Sequence, residues 1–189
     1  YGVDLDSQAV EVTKLSLLLK VLEGETAQTV QRELIHARVL PDLTGNIKCG
    51  NSLIASDFYA QPDLPAMDPD DHLRVNVFDW NGKHGFLHIM KDCGFDAIIG
   101  NPPYVRQESI KETKAYFEAH YEAYDGVADL YTYFMEKSVK LLRPGGLYSI
   151  IVSSGFLRTN FGAPLRRTLK KHASVRRIVD FGGLPVFAS

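Results

Sequence analysis

The sequence is poor in residues that could cross-link the chain or hold a metal ion. Its 189 residues include two cysteines, Cys49 and Cys93, and these do not form a C-x-x-C pair. We therefore expect two reduced thiols in a cytosolic protein rather than a disulfide or a metal site. His84 and His88 have the spacing of one helix face, and we expect no metal there either.

The chain also lacks a long apolar run. No segment reaches the roughly 20 apolar residues that cross a bilayer, and the chain opens on the strand-like YGVDLD rather than on a basic-then-apolar leader. The composition, 45% hydrophobic and 23% charged, is typical of a soluble globular protein. We expect a single domain with a sizeable core and no membrane partner.

Acidic residues are absent from one long stretch. Between Lys137 and Val179 there is no Asp or Glu but there are ten Lys or Arg, so the overall net charge of −2 hides an acidic body and a basic C-terminal third. This asymmetry favours contact with a polyanion. A solvated helix face would give the same pattern. The position of the charges relative to a site decides between a polyanion contact and a solvated face.

Strand and helix patterns alternate along the sequence, which predicts an open, mostly parallel, doubly wound α/β sheet. The stretches Ser56–His72 and Arg143–Gly146 are predicted to be a loop and a turn. The predicted strands are Tyr1–Leu5, Asn46–Cys49, Phe95–Gly100 (central, with both faces apolar), Leu147–Val152 and Val175–Phe181. The predicted helices are 7–22 with Ser7 as a plausible cap, Glu25–Val39, His84–Cys93, Ser109–His120, Ala128–Leu142 and Phe161–His172.

Two of the predicted strands end in residues suited to an adenosine-containing cofactor. In parallel sheets, ligands bind at the carboxyl ends of the strands. The first strand ends at Asp4-Leu5-Asp6, and a carboxylate there can accept hydrogen bonds from both ribose hydroxyls. Asp6 is better explained as a helix cap, which leaves Asp4 as the candidate. The second strand ends at Asn51-Ser52, where a polar side chain can bond an adenine edge.

The third strand ends in a rigid loop of hydrogen-bond acceptors. In FDAIIGNPPYVRQ, the two prolines fix the backbone and supply no N–H, and the Asn101 side chain adds one more carbonyl. An exocyclic amino group on a flat ring would place its hydrogens on these acceptors and its ring on Tyr104. Such positioning favours attack by the nitrogen lone pair on an electrophile. A proline turn that packs a tyrosine is the structural alternative.

The residues from Phe95 onward resemble a known family. FDAIIGNPPYV, followed by DLYTYFMEKSVKLLRPGGLYSIIVSSGFLRTNFGAPLRRTL and VDFGGLPVF, is similar to the large S-adenosylmethionine-dependent adenine methyltransferases of the Eco57I type. The resemblance implies a Rossmann-like fold and methyl transfer to N6 of an adenine flipped out of duplex DNA. It also implies a restriction-modification system in which a restriction nuclease is often fused or associated.

The resemblance also implies roles for individual residues. Asp4 matches the ribose-binding acid, Leu5 the apolar residue against the cofactor adenine, and Asn51, followed by Ser52, the position that bonds the adenine amino group. Asn101 and the Pro102 carbonyl would hold the target amino group, with Pro103 keeping the loop rigid, and Tyr104 and Phe187 would stack on the two faces of the target base. The candidate phosphate contacts are Arg158, Arg166, Arg167, Lys170 and Lys171.

The sequence departs from the family pattern in one respect. The Gly-rich loop that should cradle the methionine end of the cofactor is not found, and no G-x-G occurs in the chain. We expect a partial catalytic domain over residues 1–189, beginning at the family's second strand, with a target-recognition domain beyond Ser189. This chain alone should bind S-adenosylmethionine poorly and have little or no activity; a titration that gives micromolar affinity would contradict this.

Three other functions remain open from the sequence. Cytosine N4 is a second possible target atom, although an S-P-P-Y loop would favour it more. Release-factor methyltransferases use the same NPPY loop on a glutamine side-chain amide; the excursion before Phe95, the basic C-terminal third and Phe187 argue against that substrate. A catalytically inactive DNA-binding remnant is the non-enzymatic alternative, against which the intact NPPY argues.

Overall fold

The structure is a computed structural model and describes residues 1–23, 41–60, 74–182 and 184. The chain forms two compact units, Tyr1–Leu87 and His88–Ser189. Each unit contains one pair of parallel strands with helices beside it. In the described ranges, no helix combines the length and hydrophobicity needed to cross a membrane.

The first unit is built on the pairing of β1 (Gly2–Asp4) with β2 (Ile47–Cys49). The strands are parallel and Asp4 lies opposite Cys49, so their carboxyl ends meet at one edge. Helix α1 (Ser7–Leu22) follows β1 directly. An isolated parallel bridge between Asn51 and Val77 continues the sheet contacts beyond β2.

Helix α1 begins at a side-chain cap. The Asp6 carboxylate accepts a hydrogen bond of 2.8 Å from the backbone N of Gln8 and leaves one fewer unsatisfied N–H at the helix start. The expectation that Asp6 is a cap is confirmed. The prediction of Ser7 as the cap is wrong, because Ser7 is the first helical residue.

Other predictions for the first unit have mixed outcomes. The predicted helix Glu25–Val39 lies outside the described residues, as do residues 61–72 of the predicted loop. The beginning of that loop, Ser56–Ala60, is a 3₁₀ helix that buries Phe58. An aromatic cluster fills the space beyond β2, and it consists of Tyr1, Phe78, Trp80 and Phe86.

The second unit is built on β3 (Phe95–Gly100) and β4 (Leu142–Ile150), which are also parallel. The predicted turn Arg143–Gly146 lies inside β4, where the register shifts, and Gly145 has a φ of +80° that a residue with a side chain rarely adopts. The other elements are α2 (Leu87–Lys91), a 3₁₀ helix (Gln107–Thr113), α3 (Lys114–His120), α4 (Tyr131–Leu141), α5 (Gly155–Arg158) and α6 (Gly162–His172).

The core of the second unit lies between α4 and α6. Its fully buried centre is formed by Ala123, Tyr131, Met135 and Leu165, and Phe156 from α5 packs against it. A second group of rings packs beside α3, where Phe117 stacks on Tyr133 with centroids 4.3 Å apart. These contacts fix α4, α5 and α6 behind the end of β4.

Two strand predictions for the second unit need correction. β3 has the predicted bounds, but its predicted burial on both faces is wrong, since the Ile99 side chain is 84% exposed and β4 is its one strand neighbour among the described residues. The predicted strand Val175–Phe181 has no regular secondary structure and pairs with no strand in the described part of the chain. The prediction of a last strand there is therefore wrong for the residues that the structure describes.

Several helix boundaries also differ from the predictions. The predicted helix His84–Cys93 shrinks to α2, and Gly85, just before it, lies so close to the Asp79 carbonyl that a Cβ there would clash. The first half of the predicted helix Ser109–His120 is a 3₁₀ helix. The one-turn helix α5 was not predicted. The parallel α/β character is observed, whereas the described residues contain two separate two-stranded sheets.

Candidate active site

The carboxyl ends of β1 and β2 bring the candidate cofactor residues of the first unit together. Asp4 is exposed, and its Oδ1 accepts the backbone N–H of Asp6 at 2.9 Å. Among the described residues no hydrogen bond reaches its Oδ2, so the carboxylate retains an acceptor for a ligand hydroxyl. Leu5 follows with half of its surface exposed, as an apolar contact for a flat ring requires.

Asn51 and Ser52 are held by neighbouring backbone and side-chain groups. The Asn51 side-chain oxygen accepts the backbone N–H of Leu53 at 3.1 Å, which orients the amide at the strand end. The Ser52 carbonyl accepts from the Trp80 indole at 2.9 Å. Since an amide oxygen has two lone pairs, Asn51 can still accept a second hydrogen bond from an adenine amino group.

Sequence reasoning missed Asn76, which lies at the same edge. Its side-chain N–H₂ group is 3.3 Å from the Leu5 carbonyl and 3.3 Å from Cys49 Sγ. Its own carbonyl accepts the backbone N–H of Asn51 at 2.5 Å. No motif marks this residue, because its contacts connect segments that are far apart in the sequence.

The second unit holds the NPPY loop, Asn101–Tyr104, directly after β3. Pro102 is buried, whereas Asn101, Pro103 and Tyr104 are exposed. The parallel contact continues one step past the strands, with the Ile151 N–H donating to the Gly100 carbonyl at 3.1 Å. A buried proline thus anchors the loop while the amide and the aromatic ring remain accessible.

Further contacts hold the far side of the NPPY loop. The Tyr104 hydroxyl donates to the Ile151 carbonyl at a long 3.5 Å. The backbone N–H of Leu130, just before α4, donates to the Val105 carbonyl at 3.0 Å. Tyr104 remains 53% exposed, so its ring is accessible for a flat base to stack on.

The phenol of Tyr131 lies behind this loop and is not suited to act as a base. Burial raises the pKa of Tyr131, and the negative charge of Asp129 raises it further, although the Phe156 backbone opposes the change. A group that binds its proton more tightly stays neutral at ordinary pH.

The five candidate phosphate contacts do not form one patch. The Arg166 guanidinium donates to the carbonyls of Phe156 at 2.5 Å and Thr159 at 3.0 Å, which clamps α5 onto α6. Lys171 pairs with Glu122 at 2.9 Å. Arg158 is 82% exposed and its nearest acid, Asp180, is 3.8 Å away.

The basic residues near the end of α6 lie at the opposite end of β4 from Arg158. α6 has 11 residues, so its two ends are about 16 Å apart. Lys171, near its C-terminus, shares Glu122 with Lys140, which stands two residues before β4 begins. Lys170 and Lys171 therefore lie toward the amino end of β4, and Arg158 follows its carboxyl end. Arg167 and Lys170 are exposed and make no ion pair within the described ranges.

The other predicted elements of the site have plain outcomes. Phe187 lies outside the described residues. Within the described part of the chain, no three His, Cys, Asp or Glu side chains group together as metal ligands would. Cys49 and Cys93 are exposed free thiols.

The fold and the strand ends define an α/β protein with candidate ligand residues at the carboxyl ends of parallel strands. The family model described as "Eco57I restriction-modification methylase" matches residues 1–187. The chain belongs to the Eco57I restriction-modification methylase family, which confirms the resemblance seen in the sequence.

Three curated relatives illustrate the similarity. The Escherichia coli "Type II restriction enzyme and methyltransferase RM.Eco57I" is 33% identical over 99% of this chain and 17% of the relative. M.XhoI of Xanthomonas vasicola is 33% identical over 58% of this chain and 20% of the relative. M.BstVI of Geobacillus stearothermophilus is 42% identical over 46% of this chain and 16% of the relative. Both are named type II methyltransferases, and the matches span a fifth or less of each relative.

Proposed function

We propose that this chain carries the methyl-transfer site of a restriction-modification enzyme that methylates N6 of adenine in duplex DNA, with S-adenosylmethionine as methyl donor. The observation that carries the proposal is the NPPY loop, which has its proline anchored and its amide and aromatic ring exposed at the end of a parallel strand. Family membership and the relatives' names support it. We also propose that the fold is of the doubly wound, Rossmann-like type.

The NPPY loop would act on the exocyclic amino group of the target base. The Asn101 side-chain oxygen and the Pro102 carbonyl accept hydrogen bonds from the two N–H groups of the amine. These hydrogen bonds draw the nitrogen lone pair out of conjugation with the ring. S-adenosylmethionine would supply the activated methyl group that this lone pair takes. The N–C bond forms as the C–S bond breaks, and one amino proton is released to solvent. No covalent enzyme intermediate is needed, so the loop contributes position and electrostatics.

The first unit would hold the adenosine part of the cofactor. The second carboxylate oxygen of Asp4 fits the ribose hydroxyls, the exposed Leu5 fits the adenine face, and the Asn51 amide fits its amino group. The Leu53 N–H orients that amide, and the Trp80 indole holds the Ser52 carbonyl beside it. These donor and acceptor types match an adenosine, and the cofactor would supply the activated methyl group.

Duplex DNA would approach the loop with the target adenine out of the stack. Tyr104 offers one aromatic face, and we propose that Phe187 provides the other. Arg158 is the best placed of the basic residues for a phosphate, since it is exposed and follows the carboxyl end of β4. A nuclease and a target-recognition domain are further proposed partners; the Escherichia coli relative is named as both restriction enzyme and methyltransferase.

The identity of the methylated product tests the proposal. Full-length protein incubated with duplex DNA and labelled S-adenosylmethionine should yield N6-methyladenine in the nucleoside digest, as measured by mass spectrometry. Detection of N4-methylcytosine instead would show that the target atom is N4 of cytosine and that the enzyme is still a DNA methyltransferase. Methylation of a glutamine-containing peptide instead of DNA, or no methylation of either substrate, would reject the proposal in favour of the alternatives.

Salt dependence separates a phosphate contact from a structural arginine. We expect Arg158→Met to lower the slope of log affinity against log salt by about 0.9, because one fewer counterion is released on DNA binding. Arg166→Met should leave that slope unchanged and should instead lower the melting temperature, because it frees the Phe156 and Thr159 carbonyls. Fluorescence anisotropy with one DNA duplex at several salt concentrations measures both slopes. Equal slopes for the two variants would contradict this assignment.

A further inference from the structure

We propose that Asn76 is a positioning residue of the cofactor site, which fixes the carboxyl ends of β1 and β2 at the separation that adenosine binding requires. This inference rests on the proposed function above, because it concerns the same cofactor. Asn76 would act through Leu5 and Asn51, which are the residues proposed to contact the adenine.

Three hydrogen bonds connect Asn76 to these strand ends. Its side-chain amide donates to the Leu5 carbonyl and to Cys49 Sγ, both at 3.3 Å. Its backbone carbonyl accepts the Asn51 N–H at 2.5 Å. The Cys49 thiol also donates to the Leu5 carbonyl at 3.5 Å. Asn76 therefore holds residues at or just beyond the ends of two parallel strands, through both its side chain and its backbone.

The backbone conformation of Asn76 makes this possible. Its φ is +46°, in the left-handed region. Among residues with a side chain, asparagine is one of the few that adopt this region readily. Here the amide and the carbonyl of the same residue both reach the strand ends. Such conformations have an energetic cost and persist where the surrounding contacts require them.

The residues after Asn76 form a wall beside the end of β2, and we call residues 76–80 the edge segment. Val77 makes the parallel bridge to Asn51, and Phe78 donates its N–H to the Ile54 carbonyl at 2.8 Å. A Cβ placed on Gly50 would lie 2.8 Å from the Phe78 Cβ, so the segment and the strand end are in close contact. At its far end the Trp80 indole bonds the Ser52 carbonyl.

The position of these bonds distinguishes Asn76 from an ordinary packing residue. The groups it holds are the backbones of Leu5 and Asn51, whose side chains would meet the cofactor. Loosening them would change cofactor affinity and leave the NPPY loop, which belongs to the second unit, unaffected. We therefore expect a selective effect on one substrate.

Substitution of Asn76 in the full-length protein tests the inference. Asn76→Gly keeps the left-handed backbone accessible and removes the amide; we expect KM for S-adenosylmethionine and Kd for S-adenosylhomocysteine to rise about tenfold. KM for DNA, and kcat at saturating cofactor, should stay within about twofold of wild type. Asn76→Ala should weaken cofactor binding further because it adds backbone strain. Asn81→Gly, the same change at an exposed asparagine nearby, is the matched control and should match wild type.

Other outcomes overturn specific statements. Cofactor affinity of Asn76→Gly equal to that of Asn81→Gly overturns this inference alone. A parallel rise of both KM values with a lower melting temperature also overturns it, since that indicates a general structural role. Wild-type protein that binds no S-adenosylhomocysteine and methylates no DNA overturns the proposed function and, with it, this inference.

Discussion

Replacing Asn101 by alanine should lower kcat for methyl transfer at least about 100-fold, the size of effect seen when one preorganised hydrogen-bonding group is removed from a reacting centre. Asn101 is exposed at the end of β3, and its side-chain oxygen is one of the two acceptors proposed for the target amino group. Without it the Pro102 carbonyl alone orients the amine. Single-turnover methylation of a duplex by the full-length protein, at saturating cofactor, measures the change.

Two controls show whether the loss arises from the chemical step. Asn101→Asp retains acceptor oxygens and should keep measurable activity, whereas Asn160→Ala, at another exposed asparagine of the second unit, should behave as wild type. Kd for S-adenosylhomocysteine should stay within about twofold for Asn101→Ala, since the cofactor residues lie in the first unit. An Asn101→Ala enzyme that methylates near the wild-type rate would show that the assigned role is wrong.

The sequence predicted those features that depend on local chemistry. Asp6 is the cap of α1 because an aspartate at that point satisfies a free N–H, and this is visible from neighbouring residues alone. The limits of β3 follow from an apolar run that ends at two prolines, which cannot continue a strand. Local chemistry likewise identified the NPPY loop, and the structure places its amide and its ring at the surface.

Features that depend on distant contacts escaped prediction. Gly85 was predicted to be helical but lies before α2, where its backbone packs against the Asp79 carbonyl and leaves no space for a side chain. Arg166 is part of a basic cluster in the sequence, yet in the structure it holds the last carbonyls of α5. Asn76 acquires its position from bonds to residues 71 and 27 positions away. Composition and periodicity carry no information on such pairs.

The second large effect is expected from a buried carboxylate, that of Glu136 on α4. Its side chain is fully buried and accepts the backbone N–H groups of Glu122 at 3.0 Å and Ala123 at 2.7 Å. Lys140 donates to the same carboxylate at 2.6 Å. Burying a charge is unfavourable unless it is paired and hydrogen-bonded, and here three donors satisfy it. The carboxylate also fixes Ala123, which belongs to the core around Tyr131.

We expect Glu136→Ala to lower the free energy of unfolding by about 2–3 kcal/mol, because backbone N–H groups lose a buried acceptor, whereas Lys140, with a side chain 39% exposed, loses little. The Glu122 and Ala123 N–H groups would lose their acceptor, and Lys140 would lose its closest carboxylate. Urea denaturation followed by circular dichroism measures this change. Glu136→Gln keeps an acceptor oxygen and should cost less, because at least one of the two N–H groups stays bonded.

Glu118→Ala is the matched control, since Glu118 is an exposed acid of α3 in the same unit. Substitutions at such surface positions change stability by no more than about 0.5 kcal/mol. If Glu136→Ala and Glu118→Ala unfold at the same urea concentration, the buried carboxylate does not stabilise this unit. If Glu136→Ala alone is destabilised, methyl transfer should fall with the folded fraction and recover at lower temperature, whereas Asn101→Ala should stay impaired at every temperature at which it is folded.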